Sequence, residues 1–162
     1  MNILNFLVFI PILTVAGISL SKDMKTVRWV SAIGMFAQLI TAITIMLLYL
    51  GIRKSGVTDE MVMMSDQLWF KTLNIHYAIG VDGISVAMIL LTAIVVFAGI
   101  FASWQVEYLQ KEFFISLILL ATGVFGFFIS IDLFTMFLFY EVAVIPMYIL
   151  IGIWGTGPKE YS

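Results

Sequence analysis

Long apolar stretches separated by short polar joints make up the chain. Five runs, residues 3–20, 29–50, 84–102, 113–131 and 133–154, are each about 18 to 22 residues long. At about 1.5 Å of rise per residue, roughly 20 residues cross a hydrocarbon core of about 30 Å. Lipid offers the backbone no water to bond to, so each run must satisfy its own N–H and C=O groups as a helix. The ten-residue alternation of a membrane β-barrel is absent from all five. The pattern predicts an all-α polytopic membrane protein with five transmembrane helices, residues 1–162 forming a single membrane domain.

The polar joints add orientation. The loop 51–80 is the only sizeable polar stretch and carries Asp59, Glu60, Asp66, Lys71 and His76. Within it "NIHYAI" puts Ile75, Tyr77 and Ile79 on one strand face, which predicts a short hairpin, too small for a catalytic domain. Lys22, Lys25, Arg28, Lys111 and Lys159 fall on one side of the membrane, and Arg53, Lys54 and Lys71 on the other. The excess places the N-terminus outside and residue 162 on the cytoplasmic side. Trp29, Tyr49, Trp104, Tyr108 and Trp154 lie at run ends, where interfacial aromatics belong. The first run lacks a basic flank and a small-residue cleavage pattern, and reads as a retained helix. After "WGTGPKEYS", where Gly155, Gly157 and Pro158 stop the last helix, no further run follows, so a fragment of a longer protein is expected.

Composition agrees. Hydrophobic residues are 62% of the chain, charged ones 11%, and the mean hydropathy is +1.12, more apolar surface than a water-soluble globule can hide. The net charge of −2 decides little, because in membrane chains the placement of charge matters more. With no cysteine and one histidine, disulfides, thiol catalysis, Cys-ligated zinc and iron–sulfur clusters are excluded. No dinucleotide fingerprint is present, and no cofactor is expected in this chain. The expected partners are lipid and protons, with no nucleic acid.

The candidate chemistry lies in the fifth run, "LFTMFLFYEVAVIPMYILIGIWG", residues 133–155. Glu141 stands eight residues in, roughly 12 Å down a helix and close to the membrane midplane. A charge there costs at least about 2.5–3.5 kcal/mol. No Lys or Arg lies inside the five runs. Either the carboxyl is held neutral, or its cation comes from elsewhere; both describe a group poised to take and release a proton. The bland reading is a protonated glutamic acid bonded across a helix interface. Pro146 has no N–H, so the carbonyl of Val142 loses its helical partner and can hold a water beside Glu141, although prolines are common in membrane helices. Tyr148, seven residues on and on the same face, extends a possible polar path.

Three further residues are candidates of lower rank. Asp82, in "VDGIS", and Asp132 read first as N-caps of the third and fifth helices, with a proton-access role as the alternative. His76 reads as a solvated or loop-packing residue, with a proton antenna as the alternative. Gly123, Gly126 and Ser130 form a small-residue face on the fourth helix, and Ala98 and Ala102 suggest another on the third. Gln38, Thr41, Thr44 and Thr92 are expected to bond between helices.

The cluster "E…IPMY…LIGIWG", together with "IGVDGISVAMILLT" (residues 79–92), resembles the chain M (subunit 4) family of proton-pumping NADH–quinone oxidoreductase, respiratory complex I. That family is related to the multisubunit cation/proton antiporters. The order of runs and the long loop after the second are similar too, so the resemblance covers the whole chain. It implies an antiporter-like subunit of about fourteen helices with two inverted five-helix repeats, of which this chain is the N-terminal part. It implies that Glu141 pairs with a lysine on a later, broken helix outside this chain. It implies membrane-arm partners, especially neighbouring antiporter-like chains, with FMN, iron–sulfur clusters and quinone carried by other subunits. Proton translocation coupled to NADH oxidation and quinone reduction is the expected function. A sodium/proton antiporter subunit and a scaffold without its own transport are the alternatives.

Overall fold

The computed structural model describes residues 2–56, 59–70, 75–106 and 108–155. Lys71, Lys159, Gly157, Pro158 and residue 162, which entered the orientation and the end of the fifth run, lie outside the described residues. A short 3₁₀ turn, Ile3–Asn5, leads into α1 (Phe6–Leu20), followed by α2 (Met24–Lys54), β1 (Val62–Phe70), β2 (Ile75–Val81), α3 (Gly83–Ala102), α4 (Gln110–Ile129) and α5 (Leu133–Trp154). Five helical segments are long and apolar enough to span a membrane.

Two helix boundaries depart from the apolar runs for physical reasons. α2 is 31 residues long, extending past its run so that Lys25 and Arg28 sit near its start and Arg53 and Lys54 in its last turn. Such side chains keep their charge at the interface while their stems cover apolar surface. α4 ends at Ile129 because the next two residues leave the helix for the hairpin. Ser130 bridges Ile79, and the Ile131 N–H donates to the Ala78 carbonyl at 2.9 Å. β1 and β2 are antiparallel, with His76 opposite Leu68 and Ala78 opposite Asp66. The hairpin therefore forms and is stitched to the corner between α4 and α5. Asn2 Nδ2 donates to the Met63 carbonyl, tying the chain start to the same end.

α4 is the most buried span and α5 the least. α4 touches α1, α2, α3 and α5, whereas α5 rests mainly on α4 and β2. The core between α1 and α4 is held by Leu7, Ile18, Met35, Ile45, Ile89, Ile100, Phe114 and Phe125, all fully buried. α3 packs through Val86, Ile89, Ala93, Val96 and Ile100. Ala98 and Ala102 are exposed, so the expected small-residue contact on α3 does not form there. Glycines carry the close approaches instead. A Cβ on Gly34 would lie 2.1 Å from Thr14 Oγ1 of α1, and one on Gly123 would lie 2.5 Å from the backbone nitrogen of Ala143 on α5.

Among the four polar residues expected to bond between helices, Gln38 does so. Pro11 cannot donate to the Leu7 carbonyl four residues earlier, and Gln38 Nε2, fully buried on α2, donates to that carbonyl at 2.9 Å. The threonines turn back on their own helices: Thr41 donates to Ala37, Thr44 to Ile40 and Thr92 to Met88. A threonine hydroxyl reaches the carbonyl one turn back without a partner helix, so it is satisfied locally first.

In the detergent-solubilised full-length protein, Gln38→Leu leaves the Leu7 carbonyl without its donor and is expected to cost about 1–3 kcal/mol of stability in thermal unfolding. Two glycine substitutions should act with opposite sign. Gly123→Ala forces α4 from α5 and lowers the unfolding temperature, while Gly152→Ala, with nothing within 4 Å, raises it through helix propensity.

Candidate functional site on the fifth helix

α5 is fastened at three levels. At its start, Asp132 Oδ2 accepts from the N–H groups of Phe134 (2.9 Å) and Thr135 (3.2 Å), capping the helix. Thr135 Oγ1 donates to the His76 carbonyl at 3.1 Å and so binds that first turn to β2. In the middle, α5 sits in the glycine notch of α4, with Ala143 against Gly123 and Phe139 against Gly126. At its end, Trp154 Nε1 donates to the Tyr108 carbonyl at 2.8 Å, and the Trp154 ring meets Phe113 edge-on.

This seating fixes the rotation of α5. Phe139 and Pro146 are buried towards α4. At 3.6 residues per turn, Glu141 lies roughly 160–200° around the helix from the Phe139–Ala143 contact. It is exposed in this chain, on a face that α1–α4 do not cover. Tyr148, 72% exposed, lies on that same face two turns on. The structure thus brings Glu141 and Tyr148 onto one stripe of α5. Among the described residues Glu141 makes no hydrogen bond or ion pair.

α5 runs without interruption through Pro146. The carbonyl of Val142 has no N–H from residue 146, and no side-chain donor among the described residues is aimed at it. Two clefts open along α5, neither lined by Glu141 or Tyr148. One, of about 340 Å³, lies under the hairpin and is lined by Gln67, Leu68, Tyr77, Thr135, Leu138 and Phe139. Burial pushes the Tyr77 hydroxyl above its ordinary value, which keeps it a proton donor. The other, of about 350 Å³ and almost wholly apolar, lies between α4 and α5 beside Tyr140, Ala143 and Met147.

Asp82, Asp132 and His76 stand at the hairpin end of the bundle. Asp82 caps α3, its Oδ1 accepting from the Ser85 N–H at 2.7 Å. That bond holds the Asp82 carboxyl below its ordinary value. His76 Nδ1 lies 2.8 Å from Asp66 Oδ1, across the hairpin. Sequence reasoning missed that pairing. It depends on the strand register, and the strand alternation alone does not fix which residues of two strands meet.

The architecture is that of a polytopic helical membrane protein, and two solved structures share its fold. Respiratory complex I from Thermus thermophilus with bound NADH matches with a TM-score of 0.74 at 21% identity, over 98% of this chain and 30% of that one. The membrane-bound sulfane sulfur reductase, an archaeal respiratory membrane complex, matches with a TM-score of 0.73 at 16% identity, over 99% of this chain and 32% of that one. In sequence, NADH-quinone oxidoreductase subunit M of Rhodobacter capsulatus is 30% identical over 99% of this chain and 31% of its own length. The chloroplastic NAD(P)H-quinone oxidoreductase chain 4 of Mesostigma viride is 31% identical over 96% of this chain and 30% of its own length. The chain is therefore homologous, over nearly all of its length, to the subunit M and chain 4 proteins of these oxidoreductases. It spans about 30% of the length of these relatives. No protein-family model matches.

The Asp82 cap has a defined pH signature. A carboxylate whose folded value is depressed contributes stability above its unfolded value and loses it as pH falls through the folded one. Exchange protection of the first amides of α3 should therefore hold at neutral pH and fall only below the ordinary carboxylate range. Asp82→Asn should keep the cap to within about 0.5 kcal/mol at neutral pH and abolish that acid limb, while Asp82→Ala should cost about 1 kcal/mol at both.

Proposed function

We propose that this chain is the N-terminal part of a proton-translocating membrane-arm subunit of an NADH–quinone oxidoreductase. Its N-terminus lies outside a bacterial plasma membrane, and residue 162 lies on the cytoplasmic side. Neighbouring antiporter-like chains are its partners, and FMN, iron–sulfur clusters and quinone are carried by other subunits. Glu141 is the proton carrier. The observation that supports this is a carboxyl near the middle of α5 presented on an uncovered helix face, with no partner among the described residues and, beside it, the Val142 carbonyl, which no side-chain donor among them meets. A group so placed changes charge according to what approaches it. A cation brought near favours the carboxylate and releases the proton; its withdrawal favours the neutral acid and reloads it. Pro146 supports the role by freeing a carbonyl that holds a water in reach, and Tyr148 continues the polar stripe. Asp132 and Asp82 act as caps that set the heights of α5 and α3.

Under the scaffold alternative Glu141 is a protonated hydrogen-bond donor across a helix interface and does not change charge during turnover. The test is Glu141→Gln in the full-length protein within its complex, read as protons moved per NADH oxidised in sealed vesicles. Assembly should be normal and the ratio should fall. An unchanged ratio with normal assembly overturns the carrier role. Sodium-dependent transport without NADH oxidation would replace the reading with that of an antiporter subunit.

A further inference from the structure

The end of the bundle opposite the hairpin carries a separate feature. α1 ends there, α2 begins, α3 ends and α4 begins, and basic side chains collect: Lys22, Lys25, Arg28 and Lys111. Lys111 is occupied, its Nζ donating to the Ser19 and Ser21 carbonyls at 2.7 and 3.1 Å, where it closes the C-terminus of α1. Arg28 is different. Its guanidinium carbon lies 5.9 Å from the centre of the Trp104 ring, and Trp104 in turn meets Trp29 edge-on at 6.0 Å. Its Nε–H is buried and has no acceptor among the described residues, and no carboxylate among them pairs with the group. Gln110 Nε2, at the first residue of α4, is a second buried donor at this end without an acceptor. Around Arg28, Leu20 (84% exposed), Trp29 (61%) and Met24 (48%) present apolar surface outward.

A guanidinium fixed against an indole, part-buried, without a carboxylate, beside exposed lysines and lipid-facing apolar side chains, is built for an anion at the membrane–water interface. Arginine matches phosphate geometry with its planar fork, and the apolar rim matches acyl chains. We propose that Arg28, with Lys22 and Lys25, binds the phosphate of an acidic phospholipid whose tails lie along Leu20, Met24 and Trp29. Among the described charges of this end Lys22, Lys25, Arg28 and Lys111 outnumber Asp23 and Glu112, and that excess with the unpaired donors favours an anionic head over a zwitterionic one. The site stands apart from Glu141 and does not depend on the role proposed for it.

The test uses the full-length protein in its complex, reconstituted in phosphatidylcholine vesicles with a trace of headgroup-photoactivatable phosphatidylglycerol or its phosphatidylcholine analogue. Label is read on the peptide containing Arg28. The glycerol lipid should label it about fivefold more than the choline lipid, and Arg28→Gln should remove that preference. Lys54→Gln, at the hairpin end, should leave it intact. Should Arg28→Gln disturb folding, Arg28→Lys, which keeps the charge but not the fork, should lower the labelling part-way. Equal labelling by both lipids overturns the proposal. So does labelling unaffected by Arg28→Gln, as expected if Glu107, outside the described residues, neutralises Arg28. Displacement by millimolar inorganic phosphate would mean a free-anion site and would overturn it too.

Discussion

The contact between α4 and α5 at Gly123 and Gly126 governs how the proposed proton carrier is presented. Two glycines one turn apart on α4 remove the side chains that would otherwise hold the helices apart, so Ala143 and Phe139 approach the α4 backbone itself. In lipid there is little hydrophobic gain from bringing two apolar helices together, and close van der Waals packing over small residues supplies the attraction. Because that packing is specific, it selects one rotation of α5. With Phe139, Ala143 and Pro146 turned inward, Glu141 and Tyr148 are turned outward. The acid is thus offered to whatever lies beyond this chain, which is the arrangement a switchable pairing needs.

The two prolines inside helices show how the same defect is resolved differently. Each frees a carbonyl four residues back. In α1 the freed Leu7 carbonyl is answered by Gln38, and the defect becomes a buried bond that locks α1 to α2. In α5 the freed Val142 carbonyl has no side-chain donor among the described residues. One is a structural joint; the other is a polar opening next to an acid. The difference lies on α2, where a long amide faces Leu7.

The ends of the bundle divide the remaining work. At one end the hairpin grips the α4–α5 corner through the Ile131–Ala78 and Thr135–His76 bonds and holds the start of α5 in place. At the other, Trp154 anchors the close of α5, and basic residues meet a group of tryptophans. Both ends place charge where water can solvate it, so the mid-membrane segment of α5 carries a single acid, Glu141.

Much of this was legible in the residues. Apolar runs of bilayer length leave a backbone in lipid no structure but the helix, so the five spans and their approximate limits follow from the sequence. The caps at Asp82 and Asp132 were legible because capping is a local exchange between one side chain and the next few N–H groups. The hairpin followed from alternation, and the position of Glu141 along α5 from counting residues. The rest depends on partners distant in the chain. Which face of α5 meets α4, that Gln38 serves a carbonyl released by Pro11, that His76 pairs with Asp66, and that Ala98 and Ala102 face outward are all set by packing between helices. An apolar helix in an apolar solvent carries little amphipathic signal to mark its inner side. Only the shape fit of one helix against another decides it, and that is a property of the folded bundle.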